Sequence, residues 1–506
     1  MQKKRDHLLV AAIDFGTTYS GYAFSMRHEF KTDPLKIHAN QAWNSGGRAL
    51  LSLKTPTCLL LNDKKELDSF GYEAENKYAD IVMDDEQDNY YYFHRFKMNL
   101  HNNKAGIPED SLKIALEPEA ASIFCQYLPT KKLHGADEGF TMTEPGAKYM
   151  VVDLGGGTAD ITVHEKLSNG QLKELCRAAG NDCGGTSVDG RFFQMLVKIF
   201  GGPLMKKIKD DDPSAYLDLF REFETVKRTI TPEKDSKVNI TIPYASLDTH
   251  CNNILGENLA DVLGSSPYSK QIAVRGDKMR VDADVMKALF KPTIDNIISL
   301  MKEILQNKAA SDVSQLLLVG GFSECILIQD AVKRNFKSKK VIIPEEAGLS
   351  VLKGAVLFGH RPEYVRSRVM RFSYGVETRD DFDSNIHDKK YLVADVFPQK
   401  CEKIFNKIVE KDQEISLGQK FTTGHLTVVP MQKEMKLQIY VSTNKTPMYT
   451  DETSSTYLGS ATITFLVPTE DLRNVKAEYI FGNTEISMKA VDEKTGTNIT
   501  ASFDLI

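Results

Sequence analysis

Two short segments far apart in the chain repeat one pattern, and this repeat restricts the possible folds more than any other feature. The segments AAIDFGTT (residues 11–18) and MVVDLGGGT (residues 150–158) each contain an apolar strand, an aspartate, one apolar residue, glycine and then threonine. Asp14 and Asp153 occupy the same place in the two segments. The repeat predicts two lobes of related build, each with a strand that ends in an acidic glycine turn.

Glycine turns of this kind are suited to binding phosphate. Glycine has no Cβ to keep a ligand away from the backbone amides, and threonine hydroxyls add donors to phosphate oxygens. Asp153 and Asp160 nevertheless bracket the second turn with negative charge. A hydrated Mg²⁺ removes this conflict, because it joins carboxylates to phosphates and keeps several of its waters. A third strand, LLLVGGFSE (residues 316–324), ends in glycines without an acid and suits the nucleoside end.

Two familiar nucleotide-binding motifs are missing from the sequence. Neither the P-loop pattern G-x-x-x-x-G-K-[ST] nor a convincing dinucleotide pattern G-x-G-x-x-G occurs. A single glycine turn is most often an ordinary tight turn. Two acidic glycine turns in similar strand contexts favour a Mg²⁺-nucleotide site of another kind.

The texture of the sequence changes after about residue 360. Before that point, short apolar strands alternate with longer helical patterns, including 212–230 and 282–306, which predicts an α/β region. After it, the chain has β-rich runs separated by Gly, Asn, Asp, Thr and Pro, such as MKLQIYVS (435–442) and GSATITFLV (459–467). We therefore expect a nucleotide-binding domain at 1–362 and a mainly antiparallel β domain at 363–506.

Composition excludes several classes of protein. The 506 residues suffice for two or more domains, and the net charge of −5 lacks the basic balance of a nucleic-acid binder. No window approaches the roughly 18 apolar residues of a membrane span. The seven cysteines are scattered without a C-x-x-C pair, which suits reduced thiols and a cytoplasmic address, with a nuclear one also open.

These motifs resemble those of the 70-kDa heat-shock protein family, within the actin/hexokinase-like ATPase superfamily, and most closely its divergent 12A/12B-like branch. The resemblance runs in family order over nearly all of the first 360 residues. The segments that carry it are AAIDFGTTYSGYAFS, LEPEAAS, VVDLGGGTADITVHE, GNDCGGTSVDGRFF, FETVKRTI, LLLVGGFSE and PEEAGLSVLKGAVLFG. It implies a two-lobed actin-like (ribonuclease H-like, duplicated) nucleotide-binding domain, with lobe I at about 1–165 plus 345–362 and lobe II at about 166–344.

The resemblance also implies roles for individual residues. The acids around Mg²⁺, acting mostly through water, would be Asp14, Glu117, Asp153 and Asp160. The phosphate contacts would be Gly16, Thr17, Thr18, Tyr19, Gly155, Gly156, Gly157 and Thr158. The nucleoside of ATP or ADP would be reached by Glu224, Lys227 and Arg228, and its pocket completed by Gly184, Gly185, Gly320, Gly321, Phe322 and Glu345. Thr158 would share the catalytic chemistry with the four acids, and Lys97 would hold the attacking water. By pattern alone, Lys97 is equally an ordinary solvated lysine, and the helical triplet a surface ion-pair pattern.

The sequence departs from the family at several places. Only HNNKAGIPEDSLKIAL (101–116) fills the interval before Glu117, where the family has a helix and a strand, so lobe I is expected to be shortened. Glu324 stands where typical members place an arginine over the base. The segment after Arg361 lacks the usual leucine-rich acidic linker, and no helical lid is expected after the β domain.

Two functions follow from these patterns. The first is a chaperone or stress-response protein that binds ATP, hydrolyses it slowly and couples this to an extended or unfolded polypeptide at the β domain. The second is a nucleotide-dependent scaffold or signalling adaptor with negligible turnover. A sugar or metabolite kinase of the same superfamily is a weaker third choice, because of the β domain.

Overall fold

The computed structural model describes most of the chain, namely residues 7–40, 43–44, 51–84, 86–99, 111–136, 142–180, 183–394, 397–482 and 485–504. The chain divides into two compact units. The first unit comprises Met1–Ser111, Glu117–Thr162 and Ala178–Pro362. The second comprises Leu112–Leu116, Val163–Arg177 and Glu363–Ile506. The interval predicted to shorten lobe I, 101–116, includes residues 101–110, which lie outside the described residues.

All α-helices of the described residues lie in the first unit. They are α1 (Arg27–Thr32), α2 (Tyr72–Met83), α3 (Glu117–Tyr127), α4 (Gly185–Phe200), α5 (Gly202–Asp211), α6 (Pro213–Lys227), α7 (Tyr244–Leu255), α8 (Leu259–Ser265), α9 (Ala283–Leu305), α10 (Ile326–Asn335) and α11 (Ser350–His360).

The strands up to Pro362 are β1 (Leu9–Phe15), β2 (Tyr19–Met26), β3 (His38–Ala39), β4 (Trp43–Asn44), β5 (Leu51–Ser52), β6 (Thr55–Pro56), β7 (Cys58–Leu61), β8 (Leu67–Phe70), β9 (Tyr91–His94), β10 (Leu133–His134), β11 (Lys148–Leu154), β12 (Ala159–Lys166), β13 (Leu172–Gly180), β14 (Val238–Thr241), β15 (Ile272–Arg275), β16 (Lys278–Val281), β17 (Gln315–Val319) and β18 (Lys340–Pro344). Those after it are β19 (Val365–Val369), β20 (Ser373–Asp381), β21 (Leu392–Val393), β22 (Lys400–Val409), β23 (Glu414–Ser416), β24 (Gln419–Leu426), β25 (Glu434–Ser442), β26 (Ser455–Thr464), β27 (Asn474–Phe481), β28 (Glu485–Asp492) and β29 (Asn498–Asp504).

Two sheets of the first unit carry the repeated segments. Strands β1, β2 and β3 form an antiparallel sheet in this order, and β6 pairs with β2. Strands β10, β18, β17 and β11 lie side by side, and β11 pairs in parallel with β17 as β17 does with β18. The carboxyl ends of these three parallel strands therefore meet at one edge, where ligands bind in open α/β sheets.

Several helices of the first unit bury faces that the sequence encodes. The predicted helix 212–230 runs from Pro213 to Lys227, because proline suits the first turn and the Asp212 side chain accepts a hydrogen bond from the Ala215 amide. Helix α9 buries the apolar positions expected from its spacing, such as Leu289 and Ile297. Its neighbours α4 to α8 share the same core.

A glycine lets two other helices approach closely. A Cβ on Gly354 of α11 would lie 1.7 Å from the carbonyl oxygen of Ala120 in α3, so only glycine fits there. The opposite side of α11 packs on β1 and β2 through Leu352 and Val356. These contacts fix the first turn of α3, which contains Glu117, relative to the end of β1, which contains Asp14.

The second unit contains two antiparallel sheets. One has the order β21-β22-β20-β25-β26 and the other β24-β27-β28-β29. Alternate residues of both sheets, such as Leu437 and Tyr479, enter one apolar core, as expected when two sheets pack face to face. The described residues thus form a mixed α/β structure with several antiparallel sheets, as the sequence predicts.

Two chain-wide expectations can be compared with this structure. Among the described residues, no helix has the length and apolarity needed to cross a bilayer. All seven cysteines are free thiols, and all but Cys325 are buried.

Candidate functional site

The two acidic glycine turns lie against each other. The first turn joins β1 to β2, and the second joins β11 to β12. A Cβ on Gly156 would lie 2.1 Å from Thr18 Oγ1 and 2.7 Å from Thr18 Cβ, which no real side chain tolerates. The Thr18 side chain therefore packs directly on the backbone of Gly156, at a distance that only glycine at position 156 permits. The structure brings the two halves of the sequence repeat into one site.

The start of α4 braces the second turn. The amides of Gly184, Gly185 and Thr186 donate to the carbonyl oxygens of Gly157, Gly155 and Gly156, over 3.2, 3.3 and 2.7 Å. A Cβ on Gly184 would lie 2.2 Å from the Gly156 oxygen, so glycine is required there as well. The resemblance assigns Gly184 and Gly185 to the adenosine pocket, which stays a prediction; in the structure their amides hold the second turn. Carbonyl oxygens that would repel an anion are engaged in this way.

The four predicted acids share one electrostatic environment. Burial raises the pKa of Asp153 well above its usual range, and the negative charges of Glu117 and Asp160 raise it further. Burial also raises the pKa of Glu117, followed by the charge of Asp14. The Glu117 side chain is nevertheless open to solvent, a combination expected of a residue that lines a concave surface. The four carboxylates therefore lie close enough to perturb one another.

Parallel pairing places Asp153 at the ligand edge of its sheet. In the register of β11 and β17, Asp153 faces Val319, so Gly320 follows directly beside it. Gly320 has φ +84°, and a Cβ there would lie 2.4 Å from Asp153 Oδ1. Glu345 follows the end of β18 at the same edge, and its amide donates to the Lys132 carbonyl oxygen over 3.0 Å. Gly321 begins the short turn that contains Phe322.

Lys97 lies near Glu117. It belongs to a short 3-10 turn, Phe96–Asn99, that follows β9. The preceding Arg95 amide donates to the Thr57 carbonyl oxygen over 2.9 Å, and the Phe96 ring packs on Phe15 with centroids 5.7 Å apart. The positive charge of Lys97 lowers the pKa of Glu117 against the effects that raise it. The structure therefore brings Lys97 near one of the predicted acids, Glu117, while its catalytic role stays a prediction.

A second lysine in the site was not expected from the sequence. Lys54 Nζ lies 2.6 Å from Asp14 Oδ2, with side-chain exposures of 19% for Lys54 and 12% for Asp14. Its positive charge also acts on Asp153 and Glu117. The available signal was that Lys54 is the single charged residue in the apolar segment LLSLKTPTCLLL (50–61). Such a residue in a buried segment needs a partner.

The three residues predicted to reach the nucleoside, Glu224, Lys227 and Arg228, take part in one ion-pair network. Lys227 is buried, and its Nζ lies 2.5 Å from Glu224 Oε2 and 2.6 Å from Asp189 Oδ1. Arg228 donates two hydrogen bonds to Glu224 Oε1, over 3.0 and 2.8 Å. Asp189 also accepts from Arg95 over 3.0 Å and was missed by the sequence analysis, although an acid within the apolar helix pattern SVDGRFF was a usable signal.

Tyr19 extends toward this network. Burial raises the pKa of its phenol well above the usual range, followed by the charge of Glu224 and by Tyr72. The resemblance assigns Tyr19 to the phosphates, which stays a prediction; the charge of Glu224 on α6 acts on its phenol. The Tyr19 carbonyl oxygen instead limits the turn, because a Cβ on Gly16 would lie 2.3 Å from it.

Phe322 and Glu324 occupy the region of the adenosine segment. The Phe322 ring lies 3.5 Å from the place of a Cβ on Gly185, with Lys227 Nζ nearby at 3.8 Å. Glu324 Oε1 accepts a hydrogen bond of 3.1 Å from the Gly348 amide. Glu324, the acid expected in place of an arginine, is thus held by the backbone amide of Gly348. The planar group in this region is the aromatic ring of Phe322.

The remaining polar atoms of the site match a phosphate chain and a hydrated cation. Within the described part of the chain, buried Thr18 Oγ1 and Asp153 Oδ2 have no hydrogen-bond partner, although buried polar atoms almost always have one. Thr17 lies beside Thr18 in the first turn, and Thr158 Oγ1 donates to Asp160 Oδ2 over 3.3 Å. In that same part of the chain, no three acid, His or Cys side chains are placed to hold a metal directly. These residues fit a Mg²⁺ ion held through its waters.

The described residues form a mixed α/β structure with a site of the kind that suits a nucleotide, and comparisons with known proteins show what the chain resembles. The Hsp70 protein family profile matches residues 137–258. Human heat shock 70 kDa protein 12A is 29% identical over 633 aligned residues, covering 100% of this chain and 93% of the relative. Human heat shock 70 kDa protein 12B is 28% identical over 631 residues, covering 98% and 91%. Over its whole length the chain is therefore similar to the divergent 12A/12B-like branch of the Hsp70 family.

The alignment also bears on the length of the chain. It extends over 633 positions, whereas the chain has 506 residues, so the relative has segments inside the aligned region that this chain lacks. The expected shortening before Glu117 is one place for such a difference and stays a prediction.

Proposed function

We propose that the protein binds ATP and ADP with Mg²⁺ in the first unit and hydrolyses ATP slowly. The observation that carries this proposal is the approach of the two glycine turns at Gly156 and Thr18, beside four carboxylates and two lysines. The nucleotide-binding domain would extend over 1–362, and the β domain over 363–506.

The residues divide the work by charge. Backbone amides of the turns and the hydroxyls of Thr17, Thr18 and Thr158 would hold the phosphates. Asp14, Glu117, Asp153 and Asp160 would hold the waters of Mg²⁺, which when bound neutralises charge that develops on the transferred phosphoryl group. Lys97 would orient the attacking water against Glu117. Such a reaction needs positioning and electrostatic stabilisation and no covalent nucleophile.

Turnover decides between the two functions that the sequence leaves open. The experiment compares ATP hydrolysis by the wild type with that by the Asp14→Asn/Asp153→Asn variant, in Mg²⁺. Hydrolysis by the wild type at a rate clearly above that of the double variant supports the ATPase. So does a Lys97→Met variant that hydrolyses ATP much more slowly than the wild type but binds ADP with nearly the same affinity. Tight nucleotide binding with no hydrolysis above the variant instead supports a nucleotide-dependent scaffold or signalling adaptor. An absence of nucleotide binding refutes both.

The second unit offers a surface for an extended or unfolded polypeptide, which would make the protein a cytoplasmic or nuclear chaperone of the stress response. Two loops, 427–433 and 465–473, are joined by hydrogen bonds from the Met431 amide to the Thr469 oxygen and from the Phe465 amide to the Lys433 oxygen, both over 2.8 Å. Exposed apolar side chains of these loops are Val428, Val429, Met431, Leu466, Val467 and Leu472. Adjacent exposed apolar residues commonly mark an interaction site.

Peptide binding by the full chain tests this part. We expect fluorescent peptides rich in Leu and Val to bind, and a Val428→Ser/Leu466→Ser variant to bind them weakly. Tyr457→Ser is the control, because Tyr457 is also exposed but lies on β26. Equal binding by the wild type and the loop variant would remove these loops as the polypeptide site and favour the adaptor.

A further inference from the structure

The strongest feature outside the family pattern is the Lys54 ammonium within the carboxylate cluster. Its contact with Asp14, the acid that opens the first glycine turn, is a charge-assisted hydrogen bond of 2.6 Å. Such bonds are shorter and stronger than those between neutral groups. The site therefore has a cation of its own, covalently attached to the chain, next to the predicted metal acids.

The strand arrangement is built to bring Lys54 to this position. Asp14 faces Gly21 in the pairing of β1 with β2, and Ser20 faces Thr55 in the pairing of β2 with β6. One position further in the second register, Lys54 faces Gly21. Lys54 and Asp14 thus lie on either side of a residue without a side chain, and a Cβ on Gly21 would lie 3.2 Å from Lys54 Cγ. The stem of Lys54 crosses β2 over this glycine.

The backbone around Lys54 is also fixed. Its carbonyl oxygen accepts a hydrogen bond of 2.6 Å from the Ser52 hydroxyl. Downstream, Thr57 Oγ1 donates to the Gly16 oxygen over 2.7 Å, and the Thr57 amide donates to the Thr18 oxygen over 2.9 Å. The segment that carries Lys54 is therefore tied directly to the first phosphate turn.

The surrounding acids keep this side chain charged. Burial lowers the pKa of Lys54, but the charge of Asp14, followed by those of Asp153 and Glu117, outweighs burial and raises the pKa above its ordinary value. A lysine held in this way is an ammonium throughout the physiological range. It reduces the repulsion that four adjacent carboxylates would otherwise exert on a nucleotide polyphosphate.

We propose that Lys54 is a resident cation of the nucleotide site, which lets the protein bind ATP and ADP without a divalent metal ion and competes with that ion for Asp14. This inference rests on the proposed nucleotide binding and adds a residue that determines its metal dependence. A single point charge at the start of the first turn can reach a phosphate oxygen held there while keeping its hydrogen bond to the acid, since an ammonium has three donors.

The test measures ADP affinity of the full chain by calorimetry, once in EDTA and once in Mg²⁺. We expect the wild type to bind in both conditions. Lys54→Gln should lose about tenfold to a hundredfold in EDTA, the usual loss for one hydrogen bond to a charged group, and clearly less in Mg²⁺. Lys54→Arg keeps the charge and should retain most of the binding in EDTA.

A second measurement follows the metal without nucleotide. Removal of the ammonium frees Asp14, so Mn²⁺ should bind more tightly to Lys54→Gln than to the wild type, as read by electron paramagnetic resonance. Lys353→Gln is the matched control, because Lys353 also forms a half-buried pair, 2.6 Å from Glu346, on α11. We expect its ADP and Mn²⁺ affinities to equal those of the wild type. Thermal unfolding in EDTA checks that each variant is folded.

The possible failures are distinguishable. Absence of ADP binding in both EDTA and Mg²⁺ by the folded wild type refutes the proposed nucleotide site itself. Binding only in Mg²⁺, or binding in EDTA that Lys54→Gln retains, refutes the role of Lys54 alone. An unchanged Mn²⁺ affinity in Lys54→Gln refutes the competition for Asp14.

Discussion

Alanine at two adjacent glycines of the second turn should have different effects on stability and on nucleotide binding. A Cβ on Gly156 meets Thr18 at 2.1 and 2.7 Å, whereas a Cβ on Gly157 meets no protein atom within 4 Å. Overpacking of a tight contact costs about 1–3 kcal/mol. Gly156→Ala should therefore lower the free energy of unfolding by about this amount without ligand. Gly157→Ala should change it by less than about 0.5 kcal/mol, as for most changes away from contacts.

Nucleotide binding should be sensitive to Gly157→Ala even though the stability of the free protein is not. If this turn cradles phosphate, the space beside Gly157 is where the ligand approaches, and a methyl group there should weaken ADP binding at least about tenfold, or about 1.4 kcal/mol. Thermal unfolding without ligand and an ADP titration of both variants provide the two readings. Wild-type stability of Gly156→Ala would refute the approach of the two turns. Wild-type ADP affinity of Gly157→Ala would refute the phosphate cradle.

Three further predictions concern ion pairs and the base. Glu75→Gln should lower the free energy of unfolding by about 3 kcal/mol, because it leaves Arg221, only 18% exposed, without its carboxylate at 3.1 Å. In Asp492→Asn, the hydrogen-exchange protection of β27 and β28 should fall less steeply as the pH is lowered than it does in the wild type. Burial raises the pKa of Asp492, but Thr495, the Lys494 amide and Arg473 together lower it below its ordinary value, so its stabilisation is complete above about pH 4 and is lost as the pH falls through the lowered folded pKa. Phe322→Ala should weaken ADP binding about tenfold, if the ring stacks on the base, and leave pyrophosphate binding unchanged.

Each of these predictions has a control or a contrary result. Asp295→Asn breaks an exposed pair with Lys291 and should cost less than about 0.5 kcal/mol, so an equal cost of Glu75→Gln would contradict its buried role. A wild-type acid profile in Asp492→Asn would show that other carboxylates govern the acid limb. Equal loss of ADP and pyrophosphate binding in Phe322→Ala would indicate distortion of the turn and no stacking.

The sequence predicts features that depend on local patterns. The ends of β1, β11 and β17 and the helical patterns of α6 and α9 follow from strand, glycine and 3.6-residue signals within each segment. The β-rich character after residue 362 is also predicted, but some of the apolar runs there are not strands in the structure. KYLVADVF (390–397) contains only the two-residue strand β21 among its described residues, and the apolar run VVPM (428–431) follows the end of β24 as an exposed loop. Apolar content alone does not distinguish a buried strand from a binding loop.

The missed residues of the site depend on pairings between distant segments. Asp189 is placed by α4 packing near α6, and its partners Lys227 and Arg95 lie 38 and 94 residues away. The bracing of the second turn by Gly184 similarly appears only once α4 is docked. The roles that the family resemblance implies for Gly184 and Tyr19 stay predictions, because the contact that each atom makes is set by tertiary packing.

Lys54 illustrates how such a contact could still be sought in a sequence. In three antiparallel strands, a residue of the middle strand has one neighbour on each side. When that middle residue is glycine, side chains of the two neighbours can meet across it. Asp14, Gly21 and Lys54 meet this condition, and the two registers follow from the turn after Asp14 and from the apolar segment that contains Lys54. A lone charge in an apolar strand must find an opposite charge within reach of its stem, because its burial without one is too costly. Among the acids predicted for the metal, Asp14 is the one whose strand lies in the same sheet as β6. The opposite charge that Lys54 needs is therefore expected to be Asp14, and one of the cations near Asp14 is then a side chain of the protein itself.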